Sequence, residues 1–294
     1  MSQESKIDRL KDRGAMFAKA RAFFAQRNVL EVDCPVLSGA APVDAHIDII
    51  ETRCNRYLHS SVEYAMKRLL AQGIGDIYQL SHVFREGEFG RLHNPEFTMV
   101  EWYRRNFTYT GLIEETIDFI YLFLGPIPSR CLSYKEALDT YAKDAVPPPE
   151  GAEWTPDTFT AYRMAFVVQP HLGKDELTVI THFPPAQAAL GRMTTVGGEL
   201  VAERFEIFYK GIELANGSHE LCNPVEQRAR LHLANAQRQA DNKSALPLDE
   251  NFLSALQLGL PDCCGVAVGF DRLMLLRHNA ESLADILPFA WKEA

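Results

Sequence analysis

Hydrophobic and polar residues alternate with period two over residues 77–85. Tyr78, Leu80, His82 and Phe84 fall on one side of a predicted strand, with Gln79, Ser81, Val83 and Arg85 on the other. A loop rich in glycine and charge follows, containing Gly87, Gly90 and the turn-forming pair Asn94-Pro95. A second alternating run, residues 97–103, places Phe97, Met99, Glu101 and Tyr103 on one face. The two runs predict an antiparallel hairpin, one face of which gathers an arginine, an aromatic ring, a carboxylate and a phenol. Such a face is poor core material. It suits a ligand carrying phosphate, base and amine, although a solvated polar face would give the same alternation.

Helical periodicity appears first at residues 10–27, where Leu10, Met16, Phe17, Ala20, Phe23 and Phe24 form a broad apolar stripe. Asn28 stands where a left-handed C-cap residue belongs, and the extended stretch after it contains Pro35, a mark of a sheet edge or an irregular strand. Residues 58–73 predict a second helix. Ser60 or Ser61 is its cap, Glu63 lies in its first turn, Met66, Leu69 and Leu70 form its buried side, and Gly73 ends it. Further on come a helix at 111–125 and a capping box at Ser133/Glu136. A loop at 144–155 contains Pro147, Pro148 and Pro149, and Thr155-Pro156 opens a helix to about residue 168. A β run at 177–185 and helices at 225–243 and 249–258 follow. Residues 263–278 read as a strand of small residues running into a helix.

Residues 202–224 predict a second hairpin, with Lys210-Gly211 as its turn. A two-residue turn sets Phe208 opposite Glu213 and Glu206 opposite Ala215, which leaves Glu206 and Glu213 diagonal on one face. Carboxylates this close repel unless a cation lies between them, and an oxygen-only pair suits Mg²⁺. A solvated edge hairpin is the alternative. Asn216-Gly217 reads as a turn that sends Glu220 back toward the same site.

Composition narrows the class. The chain has 294 residues, 47% of them hydrophobic, enough for a sizeable core. A net charge of −9 argues mildly against a general nucleic-acid binder. No apolar run approaches the ~18 residues of a membrane span, and the polar N-terminus has no signal-peptide core. Six cysteines without a C-x-x-C pair read as reduced thiols of a cytoplasmic protein, and nine histidines show no metal-ligand spacing.

HNPEFTMVEWY, at 93–103, resembles motif 2 of the class II aminoacyl-tRNA synthetases, lysine type. The first helix, Asn28 and the stretch around Pro35 resemble motif 1, the family's dimer-interface element, where members usually carry Gly at the position of Asn28. CCGVAVGFDRLMLLRH, at 263–278, resembles motif 3, so all three motifs stand in order. GIELANGSHEL is close to the stand-alone branch of lysyl-tRNA synthetase paralogues that act on elongation factor P. The resemblance implies an α+β fold: a mainly antiparallel sheet of about six or seven strands flanked by helices. It further implies one catalytic domain over 1–294 with a helical and Pro-rich insertion at about 105–200, and no anticodon-binding domain.

The resemblance also implies an activity. ATP and Mg²⁺ activate (R)-β-lysine, or lysine less well, as an adenylate. The acyl group then passes to a specific lysine of elongation factor P, by a homodimer that does not use tRNA. Arg85 and Arg272 are its implied catalytic residues. Glu86, Gly87, His93, Asn94, Phe97, Glu213, Leu214 and Gly269 would join them around ATP, with Glu206 and Glu213 on Mg²⁺. Ser61, Val62, Glu63, Glu101, Tyr103, Asn216, Glu220 and Ala267 match the substrate side; Glu63 lies in a stretch that resembles the family's S-P-E-x-x-x-K, with Val62 in place of Pro. Gly87 and Ser218 also depart from the family: Gly87 stands where it carries Glu, between Glu86 and Glu88, and Ser218 where it usually carries Phe. A truncated aminoacyl-tRNA or small-amide synthetase and a non-catalytic regulatory paralogue are the competing readings. Retention of Arg85, Glu206, Glu213 and Arg272 argues against the second.

Overall fold

The computed structural model describes residues 5–147 and 154–294, so Pro148 and Pro149 lie outside the described residues. In chain order the strands are β1 (Leu30–Glu31), β2 (Leu37–Ser38), β3 (Tyr57–Leu58), β4 (Ile77–Phe84), β5 (Glu96–Arg105), β6 (Ser129–Ser133), β7 (Leu177–Phe183), β8 (Met193–Val196), β9 (Glu199–Tyr209), β10 (Ile212–His219) and β11 (Cys263–Gly269). The helices are α1 (Lys6–Gln26), α2 (Glu63–Ala71), α3 (Tyr109–Leu124), α4 (Tyr134–Tyr141), α5 (Pro156–Tyr162), α6 (Pro224–Ala240), α7 (Glu250–Gly259) and α8 (Phe270–Arg277). The fold is α+β with a mostly antiparallel strand arrangement. Its strands outnumber the expected six or seven, because short edge strands without a clear alternating pattern join the long ones.

Two compact units emerge, one of residues up to Gly125 together with Glu220–Ala294, the other Pro126–His219. In the first, β1 runs parallel to β4, β4 antiparallel to β5, and β5 antiparallel to β11. Even-numbered residues of β4 and β5 turn to the helices. Phe24 of α1 stacks on Tyr78 at 4.1 Å between ring centroids, and Trp102, fully buried, lies 5.4 Å from Phe119 of α3. Each such ring pair contributes about 0.5–1.5 kcal/mol beyond the area it buries. Odd-numbered residues face the other way and carry the candidate chemistry.

α1 begins on Ser5, whose hydroxyl accepts the Asp8 amide. It ends in a Schellman motif: Asn28 at φ 56° sends its N–H to Ala25 and the Val29 N–H reaches Phe24. Asn tolerates this left-handed conformation because its short polar side chain bonds locally. The extended stretch after it forms only the two-residue strands β1 and β2, as Pro35 interrupts any longer ladder.

In the second unit β6 runs parallel to β7, while β7, β8 and β10 each pair antiparallel with β9. The insertion expected at about 105–200 overlaps this unit, which carries β6–β10 beside α4 and α5. The Ser133/Glu136 capping box is present on α4, and Thr155 caps α5 with Pro156 at its first position. Lys210 and Gly211 both take positive φ, 50° and 72°, as a two-residue hairpin turn requires.

Two local readings are corrected here. Phe208 does oppose Glu213, but a bulge between Glu213 and Ala215 slides the ladder by one residue, so Glu206 opposes Asn216 rather than Ala215. Asn216-Gly217 is not a turn. Both residues continue β10, opposite Glu206 and Phe205, because cross-strand pairing overrides the turn preference of the dipeptide.

Candidate active site

The floor of the site in the first unit is the odd-numbered face of β4, β5 and β11. Register places Gln79 opposite Glu101 and Glu101 opposite Ala267, while Tyr103 stands opposite Gly265 and Met99 opposite Gly269. Gln79 turns away from any ligand: its amide clasps the Cys34 backbone, accepting from N at 2.7 Å and donating to O at 3.3 Å. Glu101 is buried, and neutral donors hold both of its oxygens. Tyr103 Oη donates at 2.7 Å and Ser61 Oγ at 2.7 Å. Burial, and then the charge of Glu63, push the Glu101 carboxyl up to about 7.

Ser61 does not cap α2 as the sequence suggested. Val62, itself buried, is the N-cap residue and makes no side-chain cap bond; the Ser61 hydroxyl accepts the Glu63 amide at 3.0 Å while donating to Glu101. The helix thereby aims Glu63 and, one turn later, Lys67 at the pocket. Lys67, the lysine that ends the stretch resembling S-P-E-x-x-x-K, was given no role in the sequence reading. Its side chain is wholly buried, with Nζ 2.5 Å from Glu63 Oε1 and 2.5 Å from Glu220 Oε2. Burial alone lowers an ammonium, but the charges of Glu220 and Glu63 more than reverse this and hold Lys67 above its usual range.

Glu220 is also buried, and its amide donates to Cys263 at 2.9 Å, which fixes the carboxylate beside β11. Gly265 leaves the room it needs. A Cβ there would collide with the Tyr103 ring and stand 2.6 Å from Glu220 Oε1. Thus Ser61, Glu63, Glu101, Tyr103, Glu220 and Lys67 form one acidic cluster with a built-in ammonium.

The motif 2 loop starts at Arg85. Its guanidinium lies over Phe97 at 5.1 Å, and Nη1 is 3.7 Å from Glu88. Its buried Nε–H has no acceptor among the described residues, the condition of a group waiting for an anion. Gly87 takes φ +75°, so the departure from Glu at this position supplies a left-handed turn residue, and Glu88 is the neighbour that turns to Arg85. Glu86 is exposed, its amide bonded to Asp48. His93 lies 3.0 Å from Arg272 Nη2, in the first turn of α8 after Gly269. Asn94 is engaged by backbone at both ends, donating to Glu96 O at 2.7 Å and accepting the Trp291 amide at 3.0 Å. Trp291 also meets Phe89 at the loop tip, 5.7 Å between ring centroids.

Behind Arg272 the three motifs share one buried polar knot. Arg13 of α1 donates to Asp271 Oδ1 at 2.6 Å and to Thr98 Oγ1 at 2.7 Å, and the Thr98 amide donates to Asp271 Oδ2 at 2.8 Å. Neither Arg13 nor Asp271 was singled out from the sequence.

Glu206, Glu213, Leu214, Asn216 and Ser218 belong to the second unit. Glu206 and Glu213 remain on the face they share with Phe208, since opposed residues of an antiparallel pair point the same way. Glu206 is held by Arg204 at 2.6 Å, with the Asn216 amide 3.4 Å away. Leu214 is buried at the bulge.

The sequence matches the family model of class II tRNA synthetases (D, K and N) over residues 1–293. Proteins of Salmonella dublin, Salmonella paratyphi B and Salmonella heidelberg, each called elongation factor P–(R)-β-lysine ligase, are 43% identical to it over 309 aligned positions. These alignments cover 96% of this chain and 95% of each relative. With three motifs knotted at Arg13, Thr98 and Asp271, and relatives matching end to end, the chain belongs to the class II tRNA synthetase family.

Proposed function

We propose that this protein is an ATP-dependent ligase. It activates (R)-β-lysine, and lysine less well, and passes the acyl group to the ε-amine of a lysine on elongation factor P. The single observation that carries the amino-acid side is the pocket's own ammonium. Glu63 and Glu220 hold Lys67 Nζ at 2.5 Å each, so these carboxylates already bind an alkylammonium of the chemistry the ligand would bring. The end-to-end match to ligases named for elongation factor P supports the acceptor.

A carboxylate is ionised at neutral pH and needs no base to attack. Its oxygen forms a bond to the α-phosphorus of ATP as the bond to the bridging oxygen breaks and pyrophosphate leaves. The protein's part is position and charge. The unpaired Nε–H of Arg85 suits the carboxylate or α-phosphate oxygen, Phe97 offers a stacking face for adenine, and Arg272 suits the terminal phosphate. In the second unit Glu206 and Glu213 offer oxygen ligands only, which would suit Mg²⁺ in place of the Arg204 ion pair of Glu206, and the ion would supply charge neutralisation. In the second step the acceptor amine, in its neutral form, attacks the acyl carbon, the amide bond forms as the bond to the AMP phosphate oxygen breaks, AMP leaves and the nitrogen's proton passes to solvent.

Pairing of two copies through α1 and the stretch after it is supported by exposed Leu30, Val36 and Leu37. Among the described residues no helix is long and apolar enough to cross a membrane, in keeping with a cytoplasmic enzyme. A charge of −9 supports activity without tRNA. The test is exchange of labelled pyrophosphate with (R)-β-lysine and lysine, then mass spectrometry of elongation factor P incubated with enzyme, ATP and amino acid. No exchange with either amino acid, or efficient charging of tRNA, would overturn the reading.

A further inference from the structure

We infer that Lys67 is a specificity-determining residue: a resident counter-ion that trims the charge of the pocket to match an amino acid with two ammonium groups. This rests on the proposed amino-acid activation. Three carboxylates, Glu63, Glu101 and Glu220, converge here, all of them near Tyr103. One ammonium, Lys67, is set among them. With all three ionised, as they are in a loaded site, three negative charges less one positive leave two. A ligand whose two ammonium groups lie here and whose carboxylate is taken up by Arg85 brings this sum to zero; a ligand with one ammonium leaves a buried carboxylate without a counter-charge.

Geometry gives the same assignment. Lys67 sits below the pocket wall with no exposed side-chain surface, so it acts through its partners. It takes Glu63 by Oε1 and Glu220 by Oε2, and so sets the spacing between the two carboxylates from within one turn of α2. Glu220 Oε1 is the oxygen beside Gly265, on the side kept open by the absence of a Cβ. The Tyr103 ring, 6.0 Å from Nζ, closes the remaining side. The charged or titratable groups around Lys67 are therefore Glu63 on its own helix, Glu101 and Tyr103 on β5, Glu220 before α6 and Cys263 on β11.

In the empty wild-type site Glu101 already holds a proton up to about pH 7; removing Lys67 leaves three carboxylates with no ammonium among them, so that proton is held to higher pH. A diamino acid then has to expel that proton to bind, and its KM becomes more steeply pH-dependent. The test is pyrophosphate exchange by wild type, Lys67→Met and the charge-restored double variant Lys67→Met/Glu101→Gln. The substrates are (R)-β-lysine, lysine and norleucine, which carries a single ammonium.

For Lys67→Met, KM for both diamino acids should rise by about tenfold or more, with KM for ATP unchanged and preference over norleucine reduced. Between about pH 7 and about pH 8 its KM for β-lysine should keep falling with an extra slope, where that of wild type levels off as Glu101 ionises. In the double variant that extra slope should vanish, which a merely structural lysine would not produce. Unchanged selectivity in Lys67→Met, an equal shift in KM for ATP, or an extra slope that survives Glu101→Gln would overturn the inference.

Should Lys67→Met fail to fold, calorimetric titration of the wild type with β-lysine decides, run at about pH 8 in two buffers of different ionisation enthalpy. Close to no proton release is expected; release of about one proton overturns the assignment. Wild type that exchanges with no amino acid refutes the proposed function itself, whereas active wild type with an indifferent Lys67→Met refutes only the role of Lys67.

Discussion

Arg13 and Asp271 meet at 2.6 Å, both buried, one from the first helix and the other from the last. Asp271 immediately precedes Arg272, so whatever orients the aspartate also orients the arginine head that reaches His93. Arg13→Met strands a buried carboxylate and is expected to lower stability by about 3–5 kcal/mol, read from urea unfolding. In the folded fraction KM for ATP should rise more than KM for the amino acid. An equal rise in both would separate Arg13 from the nucleotide side.

Glu220→Gln should weaken amino-acid binding selectively, by about 2–5 kcal/mol, because it removes one member of a desolvated charge pair. Pyrophosphate exchange at varied ATP and varied amino acid measures the two KM values separately. A loss shared equally by ATP would mark Glu220 as structural.

Gly265→Ala places a methyl against the Tyr103 ring and Glu220 Oε1. Neither neighbour can retreat, since both are buried. The variant should lose amino-acid activation by at least about tenfold, with a stability loss of about 1–3 kcal/mol. Thermal unfolding and exchange kinetics on the same sample check both numbers, and wild-type kinetics would show that the floor tolerates a side chain there.

Ala267 opposes Glu101 on the same floor. Shifting an amino group from the α to the β carbon moves it by about one bond, a difference that one methyl can register at about 1–3 kcal/mol. Ala267→Gly is expected to raise kcat/KM for lysine relative to (R)-β-lysine by about tenfold. A constant ratio in a folded variant would place selectivity elsewhere.

Glu101 has a pH signature. Its carboxyl is raised from 4.5 to about 7 by burial, so between those values the folded protein holds a proton that the unfolded chain has lost. The stability of the empty enzyme should therefore fall as pH rises through that window, by on the order of 3 kcal/mol. Amino-acid affinity should move oppositely, strengthening toward and above pH 7 as Glu101 ionises without help from the ligand. Melting curves and KM over this range test both signs, and Glu101→Gln should flatten each.

Much of this site was legible in the sequence because strand alternation is strict. Once 77–85 and 97–103 read as strands, the common face of Arg85, Glu101 and Tyr103 followed, and Asn28 announced the end of α1. The burial of Lys67 was hidden, although the lysine stood in a quoted motif, because a glutamate and a lysine four residues apart on a helix usually form a solvated surface pair. Only tertiary packing tells a buried ammonium from an exposed one. The bulge at Leu214 left no mark either, since an extra residue in a strand changes pairing without changing composition. Asn216-Gly217 misled for the converse reason: local turn preference is weak beside a complete ladder with β9. The knot of Arg13, Thr98 and Asp271 joins positions too far apart in the chain for any local pattern to connect them.

The contact of Trp291 with Phe89 turns the loop after Arg85 into something that can be watched by light. The chain has three tryptophans, and Trp102 is sealed in the core. Trp291 is 52% exposed and rests edge-on against the loop tip, with its amide on Asn94. Any rearrangement of the loop around a nucleotide changes the polarity at that indole. Its emission should shift on addition of ATP, without a label, and the shift should disappear in Trp291→Phe. Stopped-flow fluorescence would then time the loop against pyrophosphate release in the native chain.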